Sequence, residues 1–283
     1  KKIAIIFAEG EIVDGDASQQ VAGDRFASLI ADVRADSTVK AIVLRVASPG
    51  GSVLASEKIK NEIDLTRKVK PVVASYGDYA ASGGYWISNA CDKVFSDPST
   101  LTGSIGVFSM IPDFSKTAKD ILNVGVTSVG SSRHSDMFSM IRPLDEQEVA
   151  YMQKSVNDIY GAFLANVSAG RGMTTEAVDE IAQGRVWTGA DALKIGLVDE
   201  LGTLTDAVTY IAAAKGDADI ENWQIDCYPK PQTILEMIME SLTGSSYALA
   251  GTPFESVEKA YRAWDWNSSE KIYARMPYVM EIK

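Results

Sequence analysis

The chain has 283 residues, 46% hydrophobic and 23% charged, with a formal net charge of −11. That length fits one large domain or two modest ones, and the acidic balance argues against broad binding to nucleic-acid backbone. Cys91 and Cys227 are far apart without CxxC or Cys/His spacing, which argues against a zinc-type metal site, leaves a disulfide between them open, and favours reading both as small buried apolar residues. No apolar run approaches the roughly 18 residues of a membrane span, and residues 1–7 are too short for a signal-peptide core and lack a cleavage site. The chain does not open with Met, which predicts a mature form or a fragment with any anchoring segment upstream.

Residues 3–7 are a continuous apolar run, the pattern of a strand buried on both faces. Residues 19–34 carry Val21, Phe26, Leu29, Ile30 and Val33 at helical spacing. Residues 39–46 read as a second buried strand, ending in Ser48-Pro49-Gly50-Gly51, and residues 53–68 as an amphipathic helix. Residues 72–76 read as a third strand, and 85–90 as a helix. This alternation predicts βαβ units around a parallel sheet with right-handed crossovers.

Further on, 94–95 and 105–108 read as short strands, with a polar turn-rich connection over 97–104. Residues 114–122 read as a helix, 126–129 as a strand and 130–143 as a loop. The clearest helix is 144–171: Asp145 is a good N-cap, Glu148 completes a capping box, Leu144 can staple to Val149, and Gly170 and Gly172 supply a stop. Shorter helices are expected at 175–182, 190–194 and 204–214. Residues 216–221 are a candidate boundary between a core over 1–215 and a C-terminal part over 216–283. That part reads as a strand at 223–228, a Met- and Ile-rich helix at 231–242, a loop at 243–253 and an aromatic-rich arm beyond 257. The arm predicts docking against the chain's own core or another subunit.

Two glycine-rich turns follow two successive strands. The first is Ser48-Pro49-Gly50-Gly51. The second lies in Gly77-Asp78-Tyr79-Ala80-Ala81-Ser82-Gly83-Gly84-Tyr85-Trp86-Ile87. In a parallel sheet the C-terminal ends of strands share one edge, where ligands bind, so the two turns are expected side by side. Backbone N–H groups of Gly51 and Gly83 can then form an oxyanion hole beside the Ser82 hydroxyl, each donor contributing about 3 kcal/mol to the transition state. The competing reading is a pair of ordinary strand-to-helix turns. A serine nucleophile needs a base. His134, the only histidine, lies in the 130–143 loop, where a surface role is the commoner one; a lysine with a burial-lowered pKa is the alternative, and no lysine is singled out. P-loop and dinucleotide patterns are absent, so neither a cofactor nor a metal is expected.

Over residues 72–108, Ala80-Ala81-Ser82-Gly83-Gly84-Tyr85-Trp86-Ile87 and Pro98-Ser99-Thr100-Leu101-Thr102-Gly103-Ser104-Ile105-Gly106 resemble the signal peptide peptidase A family of serine peptidases. So do Ser48-Pro49-Gly50-Gly51, Gly184-Arg185-Val186-Trp187-Thr188-Gly189-Ala190-Asp191-Ala192 and Gly196-Leu197-Val198-Asp199-Glu200-Leu201-Gly202. The tail is similar to the end of double-length members. The resemblance implies a Clp-protease/crotonase-like α/β spiral, Ser82 as nucleophile, Gly51 and Gly83 as oxyanion hole and a lysine base. It also implies signal peptides or other unfolded peptides as substrates, a homo-oligomeric ring, and a place at the periplasmic face of a bacterial inner membrane.

One position departs from the pattern. Where single-length members carry the lysine, Arg133-His134-Ser135-Asp136-Met137 places Ser135. In double-length members the lysine sits in the N-terminal copy. The chain therefore resembles a C-terminal half that lacks its base and is inactive or weak until an N-terminal half supplies it. The rival expectations are a crotonase-like acyl-CoA enzyme using the same glycines and a non-catalytic scaffold copy. Tyr85, Trp86 and Ile105 are expected either to line substrate pockets or to belong to the core.

Overall fold

The computed structural model describes residues 1–17 and 20–230 together with the backbone of a strand at Ile272–Arg275. The chain opens with β1 (Lys2–Glu9), β2 (Ile12–Val13), β3 (Val21–Ala22) and α1 (Gly23–Ala35). Next come β4 (Val39–Ser48), β5 (Gly50–Ser52), α2 (Val53–Arg67), β6 (Val72–Ala81) and α3 (Gly83–Ser88). Three short strands follow, β7 (Lys93–Ser96), β8 (Leu101–Gly103) and β9 (Phe108–Ser109), before the long α4 (Glu146–Arg171) and α5 (Thr175–Ile181). The order then runs β10 (Val186–Thr188), α6 (Gly189–Lys194), β11 (Glu200–Leu201), α7 (Leu204–Ala214), β12 (Gln224–Tyr228) and β13 (Ile272–Arg275).

The main sheet has the order β10-β8-β6-β4-β1-β12, with β7 also on β6 and β11 on β7. All its pairs are parallel except β10 with β8. This is the expected α/β spiral of βαβ units, of the Clp-protease/crotonase type. The apolar run of β1 follows from burial on both faces. Ala4, Ile6 and Ala8 join one core with Phe26 and Ile30 of α1 and Ile59 and Ile63 of α2. Ile3 and Ile5 join a second core with Ala207, Val208 and Ile211 of α7. A smaller sheet, β3-β2-β5-β13-β9, stands at the C-terminal end of β4.

The capping box at Asp145 and Glu148 is present and Gly172 closes α4 in the left-handed conformation, as Asp145's position before an apolar-periodic run predicts. The segment at 224–228 is a strand and pairs parallel with β1, in the main sheet.

Several expectations are corrected. Val21 and Ala22 are a strand on β2, not the first turn of a helix, which begins at Gly23. Residues 101–103 are a strand rather than a turn, and 105–107 are not one. The helical segment near 115–121 is largely a π-helical turn, Thr117–Ile121. Val126 and Val129 are not in a strand; they are solvent-facing, Val129 almost fully, because this stretch pairs with no other strand among the described residues. Cys91 is buried, but Cys227 is exposed on β12. The expected helix at 231–242, the loop at 243–253 and the aromatic arm lie outside the described residues, apart from β13.

Candidate active site

β6 runs on past Tyr76, where the sequence suggests a stop, as far as Ala81. The extension is held by β8, with Tyr79, Ala80 and Ala81 opposite Leu101, Thr102 and Gly103. Thr100 Oγ1 donates to the Gly77 carbonyl at 2.6 Å and Thr102 Oγ1 to that of Ala80 at 2.7 Å. These hydroxyls read as a polar turn in the sequence; in the fold they spend their polarity on β6 and are fully buried.

The strand then turns into α3 at Ser82. Its φ of 53° and ψ of −114° are unusual for a residue with a Cβ, and such conformations cost of order 1–3 kcal/mol each. Two backbone bonds hold the turn: Ser82 N–H donates to the Gly103 carbonyl at 2.8 Å, and Trp86 N–H donates to the Ser82 carbonyl at 2.7 Å. The Ser82 side chain is fully buried and its Oγ has no hydrogen-bond partner among the described residues. Buried hydroxyls are normally paired, so this one is unspent.

The two glycine turns meet. Ser48, at the end of β4, is opposite Ala80 of β6. A Cβ on Gly84 would lie 2.6 Å from the Ser48 carbonyl oxygen, so α3 approaches the β4–β5 turn to a distance only glycine permits. Gly51 is equally constrained: a Cβ there would lie 1.9 Å from the Ile12 carbonyl oxygen. Ser52 caps α2 by accepting from Ala55 N–H at 3.0 Å, which fixes the Gly50–Ser52 turn at the start of that helix.

α3 is anchored on every side. Tyr76 and Ser88 hydroxyls bond each other at 3.0 Å, and Ser88 donates to the Gly84 carbonyl. Tyr85 OH donates to the Leu197 carbonyl at 2.8 Å. Burial holds the Tyr76 and Tyr85 phenols well above their usual range, so both are neutral packing residues. Trp86 Nε1 donates to Glu57 Oε2 at 2.8 Å, tying α3 to α2.

Tyr85 and Ile105 are core residues with no exposure. Trp86 instead lines an apolar groove of about 760 Å³ between α2, α3 and α4, with Met137, Phe138, Tyr151, Met152 and Ile159. One residue that sequence reasoning did not single out as a site residue is Ser104. It follows β8, is nearly buried, and has φ of 48°, with its N–H bonded to the Arg185 carbonyl. A second cavity, of about 470 Å³, lies beside it. The Thr102-Gly103-Ser104 sequence signals a turn but not this conformation.

His134 is not bonded to Ser82. Its Nδ1 lies 3.1 Å from Glu148 Oε1, and Arg142 bonds Glu148 and Asp136 at once. His134, Asp145 and Glu148 bring three possible ligand atoms within 4.8 Å of one another. Their carboxylates are committed to Arg142 and to the capping box, which gives the cluster a structural task. Several of the described lysines pair elsewhere, Lys58 with Asp24, Lys93 with Glu200 and Lys154 with Asp158, and no described lysine bonds Ser82 Oγ.

Residues 64–217 match the model of peptidase family S49. Protease 4 of Salmonella typhi is 47% identical over 251 residues, 87% of this chain and 40% of that protein. Protease 4 of Haemophilus influenzae is 40% identical over 233 residues, 80% of this chain and 37% of that protein. A putative signal peptide peptidase SppA of Enterococcus faecium is 34% identical over 221 residues, 76% of this chain and 64% of that protein. The chain thus spans about two fifths of the length of the two Protease 4 relatives.

Proposed function

Because the chain belongs to peptidase family S49, we propose that it is the serine-bearing half of a peptidase active site, with its base on another stretch of protein. The observation that carries this is Ser82: a buried, unpartnered hydroxyl on a strained turn, packed against the β4–β5 glycine turn. Ser82 Oγ attacks the scissile carbonyl of a peptide and gives its proton to a neutral lysine amine. The Gly51 and Gly83 N–H groups receive the oxyanion, in the manner that pre-aimed backbone donors stabilise acyl transfer. The protonated lysine then hands its proton to the leaving amine, and water releases the acyl group by the reverse sequence.

The length of the Protease 4 relatives supports an upstream half as the source of the lysine, and so does the family resemblance, by which Ser135 takes the place of the lysine of single-length members. The name of the Enterococcus relative supports signal peptides, or unfolded peptides like them, as substrates. On this reading the protein works at the periplasmic face of a bacterial inner membrane, with its anchor outside this chain. Assembly into a homo-oligomer is supported by the apolar groove beside Trp86 and by the exposure of Phe138 and Tyr151 along it, since large apolar patches mark interaction surfaces.

A fluorophosphonate probe tests the reading. Ser82 should label when the upstream half is added and stay dark without it, and Ser82→Ala in the full assembly should abolish both labelling and peptide hydrolysis. Efficient labelling of this chain alone would show that the base is not missing. Retained hydrolysis by Ser82→Ala would end the nucleophile assignment.

A further inference from the structure

α3 has only six residues, and the Ser82 side chain makes no bond that caps it. A helix this short does not hold itself together in water. The strained turn at Ser82 therefore depends on whatever fixes the residue that bonds back to it. That residue is Trp86, whose N–H donates to the Ser82 carbonyl and so sets the direction of that carbonyl and with it the ψ of Ser82.

Trp86 is held at each of its polar groups. Its carbonyl accepts from Asn89 Nδ2 at the end of α3, at 3.0 Å, and from Asn166 Nδ2 of α4, at 3.1 Å. Its ring packs on Phe163 of α4 with centroids 4.5 Å apart. Its Nε1 donates to Glu57 Oε2 at 2.8 Å. Glu57 differs from the other partners. It is an exposed residue of α2, where water would serve its carboxylate, yet it is turned onto a buried indole.

The position of this bond connects it to the chemistry. α2 begins directly after Gly51 and its capping residue Ser52, and Glu57 stands in its second turn. α3 begins directly after Ser82, and Trp86 stands in its second turn. The bond thus joins the helix that leaves the Gly51 turn to the helix that leaves the Ser82 turn. The turns already touch where Gly84 closes on the Ser48 carbonyl. One contact lets one helix pivot on the other; a second, further along both helices, fixes the angle between them.

We propose that Glu57 is a positioning residue for the Ser82 nucleophile, setting the Ser82 turn against the Gly51 turn through the Trp86 indole. It rests on the reading of Ser82 and Gly51 given above and adds to it a residue that touches no substrate. A carboxylate suits the task because charge-assisted N–H bonds are short and strong. The demand for it is high, since a misplacement of about 1 Å at a reacting centre costs on the order of 100-fold in rate.

The test uses the full assembly, this chain with the upstream half, and a fluorophosphonate probe. The amplitude of labelling counts folded, assembled sites, and the rate constant at saturating probe reports the placement of the hydroxyl. Glu57→Ala should keep the parent's amplitude and lower the rate constant by about tenfold or more, with kcat for peptide hydrolysis falling alongside and KM unchanged. Glu57→Gln still offers a side-chain oxygen and should recover to within about threefold of the parent. Trp86→Phe keeps the ring, loses the donor and should match Glu57→Ala. The two combined should be no slower than either alone, because one bond has been removed and not two. A purely structural role would lower the amplitude or the melting temperature and leave the rate constant of the surviving sites at the parent's value. That result overturns the inference, and so do losses that multiply in the double variant. A loss confined to the exposed Glu57 and absent from the buried Trp86 would trace to assembly and overturn it too. A parent assembly that labels Ser82, beside a Glu57→Ala that labels equally fast, sinks this inference alone; a parent that does not label sinks the serine reading instead.

Discussion

The backbone N–H of Ser82 is held on the carbonyl of Gly103 at 2.8 Å while Ser82 itself sits at φ 53°. The bond comes from the end of β8, and the hydroxyls of Thr102 in that strand and of Thr100 just before it also bond β6 carbonyls. The strained turn is therefore imposed by the neighbouring strand and not chosen by the serine. That distinction has a stability consequence. Ser82→Gly and Ser82→Ala both remove the hydroxyl, but only glycine relieves the conformation. Ser82→Gly should be more stable than Ser82→Ala by about 1 kcal/mol or more, after allowing for the greater flexibility of glycine in the unfolded chain. Urea unfolding of the two variants measures this, and equal midpoints and slopes would mean that the turn stores no strain.

The meeting of α3 with the β4–β5 turn gives a second prediction. In Gly84→Ala the new methyl would lie 2.6 Å from the Ser48 carbonyl oxygen and 3.2 Å from Ser48 Cβ. Backbone cannot yield there cheaply, so a loss of about 1–3 kcal/mol is expected. Activity of the full assembly should fall by more than the lost stability explains, because α3 and the Gly51 turn move apart. Gly172→Ala is the matched control. It also carries positive φ, 65°, but meets nothing within 4 Å. It should cost about 1–2 kcal/mol of backbone strain and leave turnover of the folded fraction unchanged. Equal loss of activity in both would detach the close approach from function.

Most of the architecture was written in burial patterns that a sequence displays. β1 and β4 are continuous apolar runs because both faces of the sheet are covered, and α4 announces its start through Asp145 and Glu148. The junction serine and both glycine turns were legible for the same reason: strand, small residues, helix. β8 was not. Thr102 within it and Thr100 just before it look like turn residues, and in the fold their hydroxyls bond carbonyls of β6. The converse error is 126–129, where valines suggest a strand that finds no partner among the described residues. The positive φ of Ser82 and Ser104 is likewise a product of contacts between distant segments. β13 was invisible because its four residues pair with positions more than 160 residues away.

The two cysteines differ in chemistry as they differ in place. Burial pushes the Cys91 thiol up to about 12, so almost none of it is thiolate at neutral pH, and the thiolate is the reactive form. Cys227 is exposed on β12. A chromogenic disulfide reagent at pH 8 should therefore release one equivalent of thiol from the native chain and two after denaturation. Cys227→Ser should abolish the native equivalent. Two equivalents released rapidly from the native protein would place Cys91 outside the core.

Glu148 sets the acid limit of the loop that holds His134. Arg142 bonds and the Asp145 backbone N–H hold the Glu148 carboxyl down at about 2, from an ordinary value of 4.5, and the same arginine depresses Asp136. A carboxyl whose folded pKa lies below its unfolded pKa adds stability that is fully present above the unfolded value. That stability is lost as pH falls, because the unfolded chain takes up the proton first. The relevant window runs from about pH 4.5 down to about pH 2. Glu148→Gln cannot lose a charge in that window. It should melt below the parent at pH 7, where the partly exposed Arg142 faces an uncharged partner at the buried Glu148 position, and the gap should narrow steadily between pH 5 and pH 3. Calorimetric melting of both proteins across this range provides the check. A gap that stays constant down to pH 3 would show that the Glu148 carboxylate is not the group through which acid loosens the 130–148 segment.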